Sequence, residues 1–171
     1  MVNVVTEMTP KGWVGPAHRQ QWMSLLARAP IDILEAALAG RSPGDPKWLR
    51  PPETGLVMVQ ARIGGTGGRF NLGEVTVTRC ALRLPADETY GAAVGVAYVL
   101  GRNHRHAQLA AVADALLQDP SRRHQLEINL LAPVRRHLAG ARTQRETRAQ
   151  ATKVEFFTVA RETAAGEADE A

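Results

Sequence analysis

Cysteine is nearly absent from this chain. Cys80 is the only one in 171 residues, so no disulfide can close within it, and a cysteine zinc or iron–sulfur site is excluded unless a partner supplies ligands. A reducing cytoplasm is the expected compartment. Aromatic residues are scarce at 5 %, so a core must be built from Leu, Val, Ile and Ala. No apolar run approaches the roughly 20 residues that span a membrane. The N-terminus also lacks the basic-then-apolar pattern of a secretory signal, and no membrane association is expected. The carboxylates Glu53, Glu74 and Asp114 show no paired spacing for acid–base work. His104 and His106 stand two apart and diverge on a helix, whereas a two-histidine metal site prefers i, i+4. The expectation is therefore no metal, no cofactor and no catalytic residue in this chain.

What is present is an apolar fraction of 44 % and a length that fits one domain with a sizeable core. The net charge is +4 and the pI about 9.8. That excess fits an anionic partner, whether nucleic acid, a phosphorylated ligand or an acidic protein surface, and equally fits arginine on solvated helix faces.

Along the chain, residues 1–16 read as a flexible arm, 17–162 as a single α+β domain and 163–171 as a disordered acidic tail. Trp22, Leu25, Leu26 and Ala29 fall on one face of a helix over 17–29, and Ile31, Leu34 and Leu38 on a second that Gly40 stops. Together they predict an N-terminal helical hairpin. Arg41 to Pro52, with four prolines, reads as a loop. Leu56 to Ile63 and Glu74 to Leu84 read as strands. In the latter Val75 and Val77 take inward positions, and the parity then flips to Cys80, Leu82 and Leu84. That flip predicts a bulge near Thr78–Arg79. Residues 92–100 give a third strand, with Val94, Val96, Tyr98 and Leu100 on one side. Ala93, Gly95 and Ala97 lie on the other, where a helix can pack closely.

Asn103 is a candidate N-cap for a helix striped with Leu109, Val112, Ala113, Leu116 and Leu117. Asp119-Pro120 ends it, and Pro133 should kink or divide the helical region that follows. Residues 154–160 read as a last strand. Short connections favour antiparallel pairing, so the expected fold is α+β: a mainly antiparallel sheet of about four strands with helices packed on it.

The least ordinary stretch joins the first two strands. Gly64, Gly65, Gly67 and Gly68 surround Thr66 and are flanked by Arg62 and Arg69. No Lys-Ser/Thr pair follows, so this is not a phosphate loop of the nucleotide-triphosphatase kind. A strand follows where a dinucleotide fold needs a helix. A hairpin connection remains, with contact to a ligand or a partner chain as the alternative. At the second junction a strand runs into a helix through Arg102, Asn103, His104, Arg105 and His106, an arrangement friendly to anions or merely a capped helix start. Cys80 sits at an apolar strand position and reads as a buried inert thiol. The arginines beyond residue 134 fit a solvated or partner-facing helix better than a nucleic-acid stripe, for little aromatic character is interleaved with them.

Several separated segments are similar to one family. Arg19-Gln20-Gln21-Trp22-Met23-Ser24-Leu25-Leu26-Ala27 resembles the opening signature of PhnG, the G subunit of the bacterial carbon–phosphorus lyase system. Glu53-Thr54-Gly55-Leu56-Val57, Gln60 to Gly67 and Gly73 to Arg79 resemble its central signature. Tyr98 to Arg102 with His106-Ala107 resembles its strand-to-helix segment, and Val154 to Thr158 its end. The likeness runs over about residues 18–162, with departures at 103–105 and after Ala160.

It implies a bacterial, cytoplasmic complex of G, H, I and J subunits. From ATP and an alkylphosphonate that complex makes ribose 1-phosphonate 5-triphosphate and releases adenine. The resemblance assigns the nucleosidase-type chemistry to the I subunit and the later radical C–P cleavage to an iron–sulfur cluster on the J subunit. For this chain it implies an accessory subunit, most directly in contact with the I subunit, with ATP a substrate of the complex and not a cofactor held here. Candidate ligand- or partner-binding residues are Arg62, Gly64, Gly65, Thr66, Gly67, Arg69, Arg102 and His106. They serve either docking alone or a phosphate site shared with a partner. A nucleic-acid-binding module is the alternative outside the family.

Overall fold

Two short helices lead into a three-stranded sheet, and the remaining helices return over one of its faces. The computed structural model describes residues 15–40, 45–86 and 92–154. Helices α1 (Pro16–Leu26) and α2 (Ile31–Leu38) are followed by strands β1 (Lys47–Arg62), β2 (Arg69–Leu84) and β3 (Ala93–Leu100). Then come helices α3 (His104–Leu117), α4 (Pro120–Leu126) and α5 (Ala132–Ala151). The sheet is antiparallel throughout, in the order β1-β2-β3. The fold is thus α+β as expected, with three strands among the described residues instead of about four. The strand expected over 154–160 lies outside the described residues from 155 onward, as does the acidic tail.

The core lies between the sheet and α3. Cys80, Leu82 and Leu84 of β2 and Ala97 and Val99 of β3 meet Ala107, Ala110, Ala111 and Leu117 of α3, and Leu26, Leu34 and Val134 close the cluster. Small residues set the helix–sheet distance. A methyl group at Gly95 would stand 1.9 Å from the Ala111 carbonyl oxygen, so only glycine lets α3 lie this close. Asn103 caps α3 as its sequence predicts, Oδ1 accepting from His106 N–H at 2.9 Å. Asp119 caps α4 in the same way through Ser121 N–H at 2.7 Å. The helix division expected at Pro133 is a single π-turn, Glu127–Leu131, directly before α5.

Two expectations are corrected. The segment read as loop up to Pro52 is strand from Lys47 onward. Its prolines are tolerated because β1 is an edge strand, and the ladder absorbs them through register shifts between Trp48 and Arg50 and between Arg50 and Glu53. No bulge occurs at Thr78–Arg79, since both ladders run regularly through those residues. The parity flip arises from Thr78, which occupies a fully buried core-face position. Its hydroxyl is satisfied there, donating to Gly101 O at 2.6 Å and accepting from Asn103 N–H at 3.1 Å. A hydrogen-bonded threonine can sit inside without penalty, so Val75 and Val77 fall on the opposite face, not on the helix-covered one.

Candidate functional site

The glycine-rich stretch is the turn of a long hairpin. Ile63–Gly65 form one 3-10 turn, with Gly64 at φ 58° and Gly65 at φ 80°, angles that L side chains rarely adopt. Gly67 N–H donates to Ile63 O at 2.8 Å and Arg62 Nη1 donates to Gly67 O at 3.3 Å. The turn therefore spends these polar groups on itself. Arg62 and Arg69 face each other at its base. Among the described residues the exposed Arg69 has no hydrogen-bond or ion-pair partner.

This hairpin is an arm. Strand β3 stops at Leu100, opposite Val77, while β2 begins eight residues away at Arg69, about 26 Å at the rise of a strand. From Arg69 to Val75, among the described residues, β2 pairs with β1 alone. Their apolar side chains are open to solvent: Ile63 is 70 % exposed, Leu72 65 % and Leu56 63 %, with Met58 and Phe70 also exposed.

The second candidate group lies at the other end of that distance. Gly101 N–H donates to Thr76 O at 2.9 Å, which pins Arg102 and the start of α3 beside the body of the sheet. The side chains there diverge. His106 is buried, with Nε2 2.8 Å from Leu26 O, and ties α3 to α1. His104 Nε2 meets Thr54 Oγ1 at 3.0 Å, and Arg105 Nε donates to Glu35 Oε1 at 3.0 Å. Arg102 alone of the four points out without a partner among the described residues. Arg62, Gly64, Gly65, Thr66, Gly67 and Arg69 thus share one place, and Arg102 and His106 another.

The face of the sheet away from the helices continues the apolar surface. Val94, Val96, Tyr98 and Leu100 of β3 lie beside Ala81, Val75 and Val77 of β2 and Val57 of β1. Leu100 is 71 % and Tyr98 54 % exposed. Charged residues interrupt it: Arg83 opposite Lys47, and a cluster around Glu53. Glu53 Oε1 accepts from Arg50 Nη1 and from Arg79 Nε, both at 2.7 Å, and the two guanidinium groups hold its carboxyl below the ordinary 4.5.

Among the described residues strand β3 also has an open edge. Gly101 N–H bonds to β2, so odd-numbered residues of β3 turn their main-chain groups to β2 and even-numbered ones turn theirs outward. At one end side chains take these groups. Val96 N–H donates to Asp114 Oδ2 at 2.9 Å, and Val94 O accepts from Arg19 Nη2 at 3.3 Å and Gln118 Nε2 at 2.8 Å. The N–H and C=O of Tyr98 have no partner among the described residues. Beside them lies a groove of about 440 Å³ lined by Met23, Leu26, Ala27, Ala97 and Ala110, among others.

Sequence reasoning missed the most heavily engaged polar group, Asp114, which is fully buried. Its carboxylate accepts from Arg19 Nη2 at 2.7 Å, Arg19 Nε at 3.2 Å and Trp22 Nε1 at 2.9 Å, besides Val96 N–H. The signal was an acid inside the apolar stripe of α3, but its side-chain partners, Arg19 and Trp22, stand more than 90 residues away in sequence. The network joins α1, α3 and β3 and is saturated, so it is a structural clamp. Cys80 is buried, and its thiol donates to Ala107 O at 3.1 Å. Burial pushes its pKa up to about 11. Among the described residues no group of three His, Cys, Asp or Glu side chains converges as a metal site would, and no helix is long and apolar enough to cross a membrane.

Comparison with known proteins identifies what this surface belongs to. Residues 17–162 match the family model described as phosphonate metabolism protein PhnG. A protein of Rhizobium meliloti (strain 1021), alpha-D-ribose 1-methylphosphonate 5-triphosphate synthase subunit PhnG, is 41 % identical over 150 residues, covering 86 % of this chain and 91 % of that relative.

Proposed function

Because the chain belongs to the PhnG family, we propose that it is an accessory subunit of a ribose 1-methylphosphonate 5-triphosphate synthase complex in phosphonate catabolism. It works in the cytoplasm beside H, I and J subunits and touches the I subunit directly. The chemistry, which joins ATP to an alkylphosphonate with release of adenine, belongs to the partners. This chain holds no cofactor of its own, and residues 17–162 act as one domain.

The observation that carries this reading is the uncovered apolar surface. The open sheet face, the hairpin arm and the free edge of β3 run into one another, and exposed apolar surface of that extent marks a protein interface. An edge strand with unpaired main-chain groups beside an apolar groove also accepts a partner strand.

One observation favours a second role at the same interface. Arg69 is exposed and without a described partner at the tip of an arm about 26 Å long, so it can enter a neighbour's site and meet a phosphate there. Alanine substitution separates the two. If Arg69→Ala and Arg102→Ala leave assembly and adenine release intact, docking alone accounts for the subunit. If assembly is normal but adenine release collapses with Arg69→Ala, the tip supplies a phosphate contact. Loss of assembly with Arg69→Ala places that residue in the docking surface.

A further inference from the structure

The second half of α5 carries no buried residue from Ala139 to Ala151. A helix that is polar all round is not held by packing of its own. Its charge is also mostly of one sign. Arg142, Arg145 and Arg148 follow one another about a turn apart, and Glu146 is the one carboxylate between Ala132 and Ala151. Like charges so spaced repel. Where α5 passes α1 the two helices leave a groove of about 530 Å³. Leu25 and Leu138, both partly buried, form its apolar floor, and Arg28, Arg135, Arg142 and Arg145 its rim. Arg135 pairs with Glu127 and Arg142 with Glu146, exposed ion pairs that exchange at little cost. Arg28 and Arg145 direct Nε to the main-chain oxygens of Ser24 and Ala141, and neither meets a carboxylate among the described residues.

We propose that this groove seats an acidic amphipathic helix of a partner protein. Charge complementarity selects that occupant. Arginines rim the groove on both sides, and a guanidinium takes a carboxylate in two parallel hydrogen bonds. The apolar floor selects a protein over a nucleic acid. A duplex held through its phosphates has no use for Leu25 and Leu138, whereas a helix with apolar residues at i, i+3 and i+7 lays that stripe on them. Length agrees as well. From Arg135 to Arg145 the rim runs along about 15 Å of helix, which about three turns of an incoming helix cover. Acidic residues on one flank of its stripe then meet Arg28 on α1, and those on the other flank meet Arg135, Arg142 and Arg145 on α5. Docking there offsets the repulsion along α5 and gives its exposed half a packing partner. The site is built by helices alone, so it is a second docking surface that does not rest on docking through the sheet.

Titration of the full chain tests it. The probe is a labelled synthetic peptide of about 18 residues, long enough to form a helix, with leucine at i, i+3 and i+7 and glutamate and alanine elsewhere. A peptide of the same composition, scrambled so that the leucines go round the helix, and a DNA duplex are the controls. The amphipathic peptide should bind at least about tenfold more tightly than the scrambled one and shift the methyl resonances of Leu25 and Leu138. The double variant Arg142→Glu/Arg145→Glu, with amide resonances of β2 and β3 unchanged, should bind it at least about tenfold more weakly. The sheet-face variant Leu72→Asp/Tyr98→Asp should bind it as the parent does. Equal affinity for the scrambled peptide, unmoved methyl resonances or parental affinity in the Arg142→Glu/Arg145→Glu variant would each overturn the proposal. So would tighter binding of the duplex, or loss of peptide binding in the sheet-face variant. None of these results bears on whether the subunit assembles through its sheet.

Discussion

Single residues carry more of this fold than their number suggests. Asp114 receives four hydrogen bonds from two other elements, α1 and β3, while fully buried. Removing one partner of a buried ion pair leaves an uncompensated group, at a cost of about 3–5 kcal/mol. Asp114→Ala should therefore lower unfolding stability by about that amount, read from the urea midpoint, with a shift in the emission of Trp22. A midpoint within about 0.5 kcal/mol of the parent would mean the clamp is dispensable. Gly95→Ala tests the other tight point. Its methyl would meet the Ala111 carbonyl at 1.9 Å, so a loss of about 3 kcal/mol or more is expected. Gly68→Ala, with open space around it, should be nearly neutral. The Cys80 thiol has a pKa of about 11 against an ordinary 9.0, two units of lost thiolate. Alkylation at pH 8 should run about a hundredfold slower than for a free thiol and speed up on unfolding; equal rates would contradict its burial.

At the scale of elements the hairpin arm depends on its glycine turn. Gly65 holds φ 80°, so Gly65→Val should strain the turn by about 1–2 kcal/mol and disorder the tip without unfolding the body. Broadened tip resonances with unchanged core resonances would show this. The Glu53 cluster gives an acid-side signature. Because Arg50 and Arg79 depress its pKa, its stabilising contribution is full above 4.5 and is lost as the pH falls through the lower folded value. A pH titration of Glu53 that follows a free glutamate would contradict the pairing.

Much of this level was legible in the sequence. The glycines, followed by a strand, marked a hairpin turn; the small residues Ala93, Gly95 and Ala97 marked the helix-covered face of β3; Asn103 and Pro133 marked helix boundaries. What escaped was set by tertiary partners. Thr78 looked like a break in parity because its buried hydroxyl bonds to Gly101 and Asn103, more than 20 residues away. Pro51 and Pro52 looked like loop because nothing local says that β1 lies at an edge. The candidate residues at 62–69 and at 102–106 read as one possible phosphate site. Only the length of the arm shows that they lie apart.

The whole molecule is one-sided. Among the described residues helices cover one face of the sheet, while the other face, the edge of β3 and the arm present many exposed apolar side chains, interspersed with the Glu53 cluster, the Lys47–Arg83 cross-strand neighbours and the polar residues of the arm. That asymmetry suits a subunit whose partners complete its second layer, and it agrees with a fold in which the buried polar groups are spent on structure. The account stands or falls on whether this surface holds the complex together. The direct measurement is the affinity of the chain for the I subunit, made with the variant Leu72→Asp/Tyr98→Asp, whose two positions are exposed in the free chain. The prediction is an unchanged urea midpoint, to within about 0.5 kcal/mol, and binding weaker by at least about a hundredfold, as loss of a central apolar contact entails. Parental affinity in the folded variant would contradict it.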